Sequence, residues 1–500
     1  MKTFLRITPF ILLLFLLNEC NEKTESPVAS IPPPVGLPGY ELDLTYITID
    51  SFRVKLYVEG LTELNSIYQF AAAVPGTYRV MDFGQYVGGF KAYTKEGIRI
   101  PVNHSSINQW NITDPEQTRL ISYSIKKTDE YGSADGSNLF KDCAFFNMPS
   151  IFGYVQGQEN EEVKLKIITP SNWIVATTLS KNDDDYYTAP DFKSFSDQPV
   201  FAGLIEKNTT TAGGTQFDIY SFSQTGSLQT NELTADVTQA MNDAAAFLKV
   251  MPLDKYTFYY YYSPSGGGGL EHSQSSVHVN SESPYSSAYT RTRTAHEFFH
   301  VITPFNIHSD IIENFNFSTP TASQHLWLYE GVTVWAANLM QYRNGSMSIN
   351  DLLYDLSGRA WSSVNPTSLT EMSLAVYKDQ SSFLAYYKGA IAAALLDIKL
   401  LSLSNGTSGL RELILKLKEN HGLHKPFAEE ELFNEIVQLT YPEIEDFINQ
   451  YIKGTSPLPL KELFNKIGID MKENSFELVI MPTPTANQQF LFKQWSKNLN

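Results

Sequence analysis

The chain has 500 residues, with 37 Lys and Arg against 54 Asp and Glu, a net charge of −17 and a pI near 5.0. That acidity excludes nucleic acid as the main partner, because phosphate contacts need concentrated Lys and Arg; here the charge acts mainly on solubility. The length exceeds what a single hydrophobic core holds, so at least two domains are expected.

Lys2 and Arg6 are followed by an apolar run over 7–17, broken only by Thr8 and Pro9, and then by Leu17-Asn18-Glu19-Cys20. The run is too short to span a bilayer and has the proportions of a signal peptide. With a cysteine directly after it, the segment 1–20 resembles a bacterial lipoprotein signal. This implies a lipid anchor at Cys20 and export to the cell envelope, on the periplasmic or cell-surface side. Ordinary secretion is the alternative, because small residues are usual where Glu19 stands. A lipidated Cys20 leaves Cys143 with no disulfide partner. Residues 21–39 are rich in Ser and Pro, including Pro32-Pro33-Pro34, and suit an extended tether.

Residues 40–205 alternate apolar and polar side chains between frequent turn residues, as in Tyr40-Glu41-Leu42-Asp43-Leu44-Thr45-Tyr46, and are expected to form an N-terminal β sandwich. Helical spacing takes over in 206–480, with helices expected over 228–250, 291–302, 327–342, 388–403, 410–420 and 429–439. The expected class is α+β: a β-sandwich domain, a second domain with a mainly α-helical C-terminal half, and a tail over 481–500. No internal repeat is visible.

The chemistry concentrates in the second domain. Six of the nine histidines fall between His272 and His325. The strand-like Tyr256-Thr257-Phe258-Tyr259-Tyr260-Tyr261-Tyr262 leads to four glycines, 266–269, and Glu271. Gly268 and Gly269 would let the backbone approach a substrate, with Glu271 at the edge of the site. The plain reading of this tract is a flexible loop. His296-Glu297-Phe298-Phe299-His300 follows. On a helix, His296 and His300 aim two imidazoles at one ion while Glu297 faces the same cleft as general base. A catalytic zinc wants a third protein ligand and an open position for water. Glu330, in the apolar stretch Leu326-Trp327-Leu328-Tyr329-Glu330-Gly331, fits that role, and a metal is the kind of partner a buried carboxylate needs. His278, His308 and His325 are expected to support the site or lie at the surface, because the ligand set is already filled. Tyr386 precedes the apolar run after Gly389; among 28 tyrosines, core packing is its default reading.

Four ordered motifs, Gly268-Gly269-Leu270-Glu271-His272, His296 to His300, Leu326-Trp327-Leu328-Tyr329-Glu330-Gly331-Val332-Thr333 and Tyr386-Tyr387-Lys388-Gly389, resemble the glycyl aminopeptidase family of zinc metallopeptidases, a gluzincin group. Val74-Pro75-Gly76-Thr77-Tyr78-Arg79 and Phe146-Asn147-Met148-Pro149 are similar to segments of that family's β domain. The resemblance implies a thermolysin-like zinc metallopeptidase domain over 206–480, in an exported zinc aminopeptidase that removes small residues such as Gly or Ala from peptides. It assigns the substrate's free α-amino group to Glu271 and stabilisation of the oxyanion to Tyr386. Many members carry a C-terminal PDZ domain, for which the residues after the helical region are expected to be too few. The segment after His300, Val301-Ile302-Thr303-Pro304-Phe305-Asn306, departs from the Trp-Asn and basic segment common in the family, which bears on substrate preference. An endopeptidase using the same zinc triad, and a non-catalytic binding protein on the enzyme fold, are the competing readings.

Overall fold

Alternating side chains build the first half of the molecule. In the computed structural model, which describes residues 38–46, 50–128, 133–379 and 383–499, strand Ser51–Tyr57 turns Phe52, Val54 and Leu56 inward and Arg53 and Lys55 outward. It pairs antiparallel with Gly39–Asp43 in the register Leu42↔Val54, and that strand runs parallel to Val163–Ile168. These belong to an eight-stranded sheet, and two four-stranded sheets complete the domain. Phe52, Tyr68, Phe70, Phe146, Phe152 and Phe195 share one core, in which Phe52 meets Phe146 edge-on at 5.5 Å between ring centroids. Cys143 is buried and unpaired; burial pushes its thiol pKa well up, which makes it inert. Cys20 and the expected signal segment lie outside the described residues, as does the tether apart from its last two positions.

From Glu206 onward a five-stranded sheet carries the helices. Its order is Glu206–Ala212, Thr215–Ser223, Lys255–Ser263, Ser275–Ser281 and, at the edge, Gly268–Glu271. Helix Thr230–Leu248 buries Leu233, Val237, Ala240, Met241, Ala244 and Phe247, the three- and four-residue spacing of one helical face. That face packs against helices Ser287–Phe299 and Thr333–Asn344. Helices Leu384–Leu403 and Leu410–Asn420 lie where helical spacing places them. The expected α+β class therefore holds, with a multi-sheet β domain followed by a helix-rich half.

Three local expectations are revised. The helix of the histidine motif stops at Phe299 and tightens through Val301 and Ile302 amides donating three residues back, ahead of Pro304. The stretch Trp327–Val332 is a π-helical turn preceding helix Thr333–Asn344, in place of one continuous α-helix. The expected tail contains helix Ala486–Trp495, capped by Thr485 and Gln488, with Leu491 and Trp495 buried in the catalytic core.

Candidate metal centre

Two elements bring three ligand atoms together. His296 lies in the last turn of helix Ser287–Phe299, and His300 caps that helix. Glu330 sits in the π-helical turn. His296 Nε2 and His300 Nε2 are 3.2 Å apart, and Glu330 Oε2 is 3.4 Å from the first and 3.7 Å from the second. Tetrahedral zinc with bonds of about 2.0–2.1 Å separates its ligand atoms by about 3.3 Å, so this donor set fits the ion. Its chemistry fits as well. Burial lowers both imidazoles to a pKa of about 4, which keeps them neutral near pH 7. In its neutral form His300 donates from Nδ1 to the Thr303 carbonyl at 3.0 Å, leaving the Nε2 lone pair turned toward the other ligands.

The approach of Glu330 depends on two glycines. A Cβ on Gly331 would stand 2.6 Å from Gly389 Cα, and one on Gly389 would stand 3.0 Å from Gly331 Cα. The π-helical turn thus rests directly on the backbone of helix Leu384–Leu403, which presents Tyr386 in its first turn. Lys388 turns away from the cleft and donates to the carbonyls of Asn365 and Thr367 at 3.0 and 2.7 Å. Burial raises the Glu330 carboxyl pKa; His300 and the nearby phenols of Tyr78 and Tyr386 pull it back toward the ionised form.

Glu297 is buried, and its oxygen, His296 and His300 form a second group with ligand atoms within 4.8 Å of one another. Burial raises its pKa, while His296 and Arg293 oppose the rise; Arg293 Nη1 lies 3.4 Å from Glu297 Oε1. The carboxyl packs beneath the edge strand Gly268–Glu271. A Cβ on Gly269 would fall 2.0 Å from Glu297 Oε1, so the strand can lie over the base only as glycine. Gly268 has φ +128, open to glycine alone.

Glu271 ends that strand, and its carboxylate, His300 and Glu330 offer atoms within 4.8 Å of one another. Burial raises its pKa strongly, and Glu330 and Glu297 add to the rise. This closeness suits an amine-reading role. In a peptide the first amine nitrogen lies only about 2.5 Å from the first carbonyl carbon, so a group that reads it must stand beside the reacting centre. Next to Glu271, buried His272 lies between Asp197 at 3.3 Å and Asn147 at 3.1 Å.

The other histidines have separate partners: His278 bonds Ser276, His308 bonds Glu313 and His325 bonds the Glu429 carbonyl. Sequence reading missed two contributors. Arg293 was visible as an Arg four residues before Glu297. Tyr78 comes from the other domain, and no local spacing announces it.

The chain matches the Peptidase M61 N-terminal domain over residues 39–204 and the M61 glycyl aminopeptidase over residues 290–392, together more than half of its length. No curated protein matches it in sequence. Among solved structures, it is similar to an aminopeptidase N family protein from Idiomarina loihiensis, with 22% identity and a TM-score of 0.78 over 88% of this chain and 81% of that one. An M1 zinc metallopeptidase from Deinococcus radiodurans shares 14% identity and a TM-score of 0.50, over 85% of this chain and 95% of that one. A variant of a two-domain M1 zinc metallopeptidase bound to L-arginine shares 14% identity and a TM-score of 0.51, over 85% and 96%. At these identities the structural likeness speaks for the fold.

Proposed function

Because the chain belongs to the M61 glycyl aminopeptidase family, a family of zinc peptidases, we propose that it removes N-terminal residues, small ones such as Gly or Ala, from peptides outside the cytosol. The observation that carries the reading is the convergence of His296, His300 and Glu330 at zinc-ligand spacing, with Glu297 and Glu271 packed around them.

Zinc held by His296, His300 and Glu330 supplies Lewis acidity, acidifying a water and polarising the scissile carbonyl. Glu297 takes the proton of the attacking water and returns it to the leaving amine; burial raises its pKa toward the range where one group serves as both base and acid. Arg293 holds the ionised Glu297 toward the cleft. Tyr386, whose burial keeps its hydroxyl protonated, donates to the developing oxyanion. Glu271 pairs with the substrate's ammonium group and so sets cleavage after the first residue. Gly268 and Gly269 leave room for the substrate backbone along the edge strand. Three carboxylates about one cleft make it attractive to a divalent cation and an ammonium group alike.

Export is inferred from the apolar run over 7–17 and Cys20, as a lipoprotein of the bacterial cell envelope on the periplasmic or cell-surface side. Among the described residues no helix is long and apolar enough to cross a membrane. A panel of aminoacyl reporters and N-acetylated peptides, with and without a chelator, tests the function. Chelator-sensitive cleavage of free-amine Gly and Ala substrates is expected. Equal cleavage of blocked peptides would make the enzyme an endopeptidase.

A further inference from the structure

We infer that Gly76, in a turn of the β domain, is the positioning residue of Glu271: its main chain packs against the Glu271 carboxylate and fixes the place from which that group meets the substrate's ammonium. The inference rests on the reading of Glu271 as the amine-binding group. It makes the first-residue register a property of the packing between the two halves of the chain.

The contact is one of space. A Cβ on Gly76 would stand 2.6 Å from Glu271 Oε1 and 2.9 Å from both Glu271 Cδ and Leu270 Cδ1. Real Cβ contacts essentially never fall below 3.0 Å, so a hydrogen fits at this place and a methyl does not. Gly76 also has φ +82, in the left-handed region that favours glycine. Gly60 has a similar backbone, with φ +68, but a Cβ there would meet nothing within 4 Å. Conformation and contact coincide at Gly76 and come apart at Gly60.

The turn is clamped on both sides. Before Gly76, the Ala72 amide donates to the Phe317 carbonyl of the catalytic half at 2.7 Å, and Thr77 Oγ1 reaches back to the Val74 carbonyl at 2.9 Å. After it, Tyr78 is buried in the catalytic core, edge-on to Tyr386 with ring centroids 6.4 Å apart, and Arg79 Nε donates to Asp135 at 2.8 Å. The other partner is held as well. His272 places Nδ1 3.3 Å from Asp197 and Nε2 3.1 Å from Asn147, and the Ser273 amide donates to Asp197 at 3.2 Å. Asp197 and Asn147 both belong to the β domain, so the end of the edge strand is tied to the domain that carries Gly76.

The carboxylate needs such a hold. Glu271, His300 and Glu330 offer atoms within 4.8 Å of one another, and Glu297 lies in the same cleft, so like charges act on a side chain with several rotatable bonds. A carboxylate that swung aside under that repulsion would leave the ammonium group without its partner. Packing against Gly76 removes part of the space through which it could swing.

The test is Gly76→Ala in the zinc-loaded full chain, with Gly60→Ala as its control. Calorimetry with glycine hydroxamate and acetohydroxamate compares one zinc-binding group with and without the amine, and the ratio of the two affinities reads amine recognition alone. Both variants are expected to melt below wild type, because alanine is strained at positive φ. Only Gly76→Ala is expected to reduce the advantage of the amine, by roughly 10-fold, the lower end of what a charge-assisted hydrogen bond is worth. A folded Gly76→Ala with the wild-type ratio overturns the inference, as does an equal reduction in Gly60→Ala. If Gly76→Ala does not fold, Gly76→Ala combined with Glu271→Asp, whose carboxylate is one methylene shorter, is expected to fold; loss of the fold in both would trace the need for glycine to the turn and overturn the inference too. Glu271→Ala is measured alongside. If it keeps the advantage of the amine, the reading of Glu271 itself is wrong; if it loses the advantage while folded Gly76→Ala keeps it, only the role of Gly76 falls.

Discussion

Replacing Gly269 by alanine tests the placement of the general base without touching any group that reacts. The new methyl carbon would lie 2.0 Å from Glu297 Oε1 and 2.5 Å from its Cδ. Real Cβ contacts essentially never fall below 3.0 Å, so the carboxylate must retreat by about 1 Å or the edge strand must lift by as much. Misplacing a reacting group by about 1 Å costs roughly 10²-fold in rate, which is about 2.7 kcal/mol of barrier. Overpacking also costs stability, on the order of 1–3 kcal/mol. The expected result is therefore a fall of about 100-fold in kcat, a modest drop in melting temperature and stoichiometric zinc, since the three atoms nearest the added methyl all belong to Glu297, which is proposed as base and not as ligand. Steady-state turnover of an aminoacyl reporter, metal analysis and thermal melting read the three quantities. A folded, zinc-loaded Gly269→Ala enzyme with wild-type kcat would refute the argument that Glu297, held under this strand, is the base.

Glu297→Gln should keep zinc and lose about 10²–10⁴-fold in kcat; near wild-type turnover would exclude general-base catalysis by this residue. Because burial raises the Glu297 carboxyl above its ordinary 4.5 and the base must be ionised, kcat/KM should hold at higher pH and fall as pH drops through a point above 4.5. The raised carboxyl of the proposed ligand Glu330 protonates in the same direction, so metal analysis over the same pH range separates the two: zinc retained where activity has fallen assigns the fall to Glu297, and activity lost in step with zinc assigns it to the ligands. Glu271→Ala should lose about 10–150-fold on free-amine peptides, the worth of a charge-assisted hydrogen bond of roughly 1.5–3 kcal/mol, and should no longer favour them over N-acetylated ones. An unchanged preference would remove Glu271 from amine recognition. In a bacterial host, labelled fatty acid should mark the wild type and not Cys20→Ser; equal labelling of both would move the anchor away from Cys20.

The parts of this molecule that could be read from sequence are those whose determinants are local. Alternation along Tyr40–Asp43 announces a strand because successive side chains face opposite ways, and the His296–His300 spacing announces a metal face because four residues make about one helical turn. The π-helical turn at Glu330 was not legible, since it depends on backbone contact between Gly331 and Gly389, far apart in the chain. Tyr78 was hidden for the same reason: it lies in an irregular loop, and only domain packing brings it to Glu330. The helix Ala486–Trp495 is a different matter. Its capping pair, Thr485 and Gln488, and its apolar Leu491 and Trp495 stand in the sequence, and the short segment was read as a tail in spite of them.

The contact of Gly331 with Gly389 has a consequence for how such an enzyme tolerates change. Because backbone meets backbone there, the span between Glu330 and Tyr386 is set by main-chain atoms and owes little to the side chains filling the core around them. Drift among Leu328, Ala393, Leu396 and their neighbours can then raise or lower stability while the reach from ligand to phenol stays fixed. Durability and turnover become separately adjustable in this half of the cleft, with the two glycines as the positions where any side chain would disturb both at once.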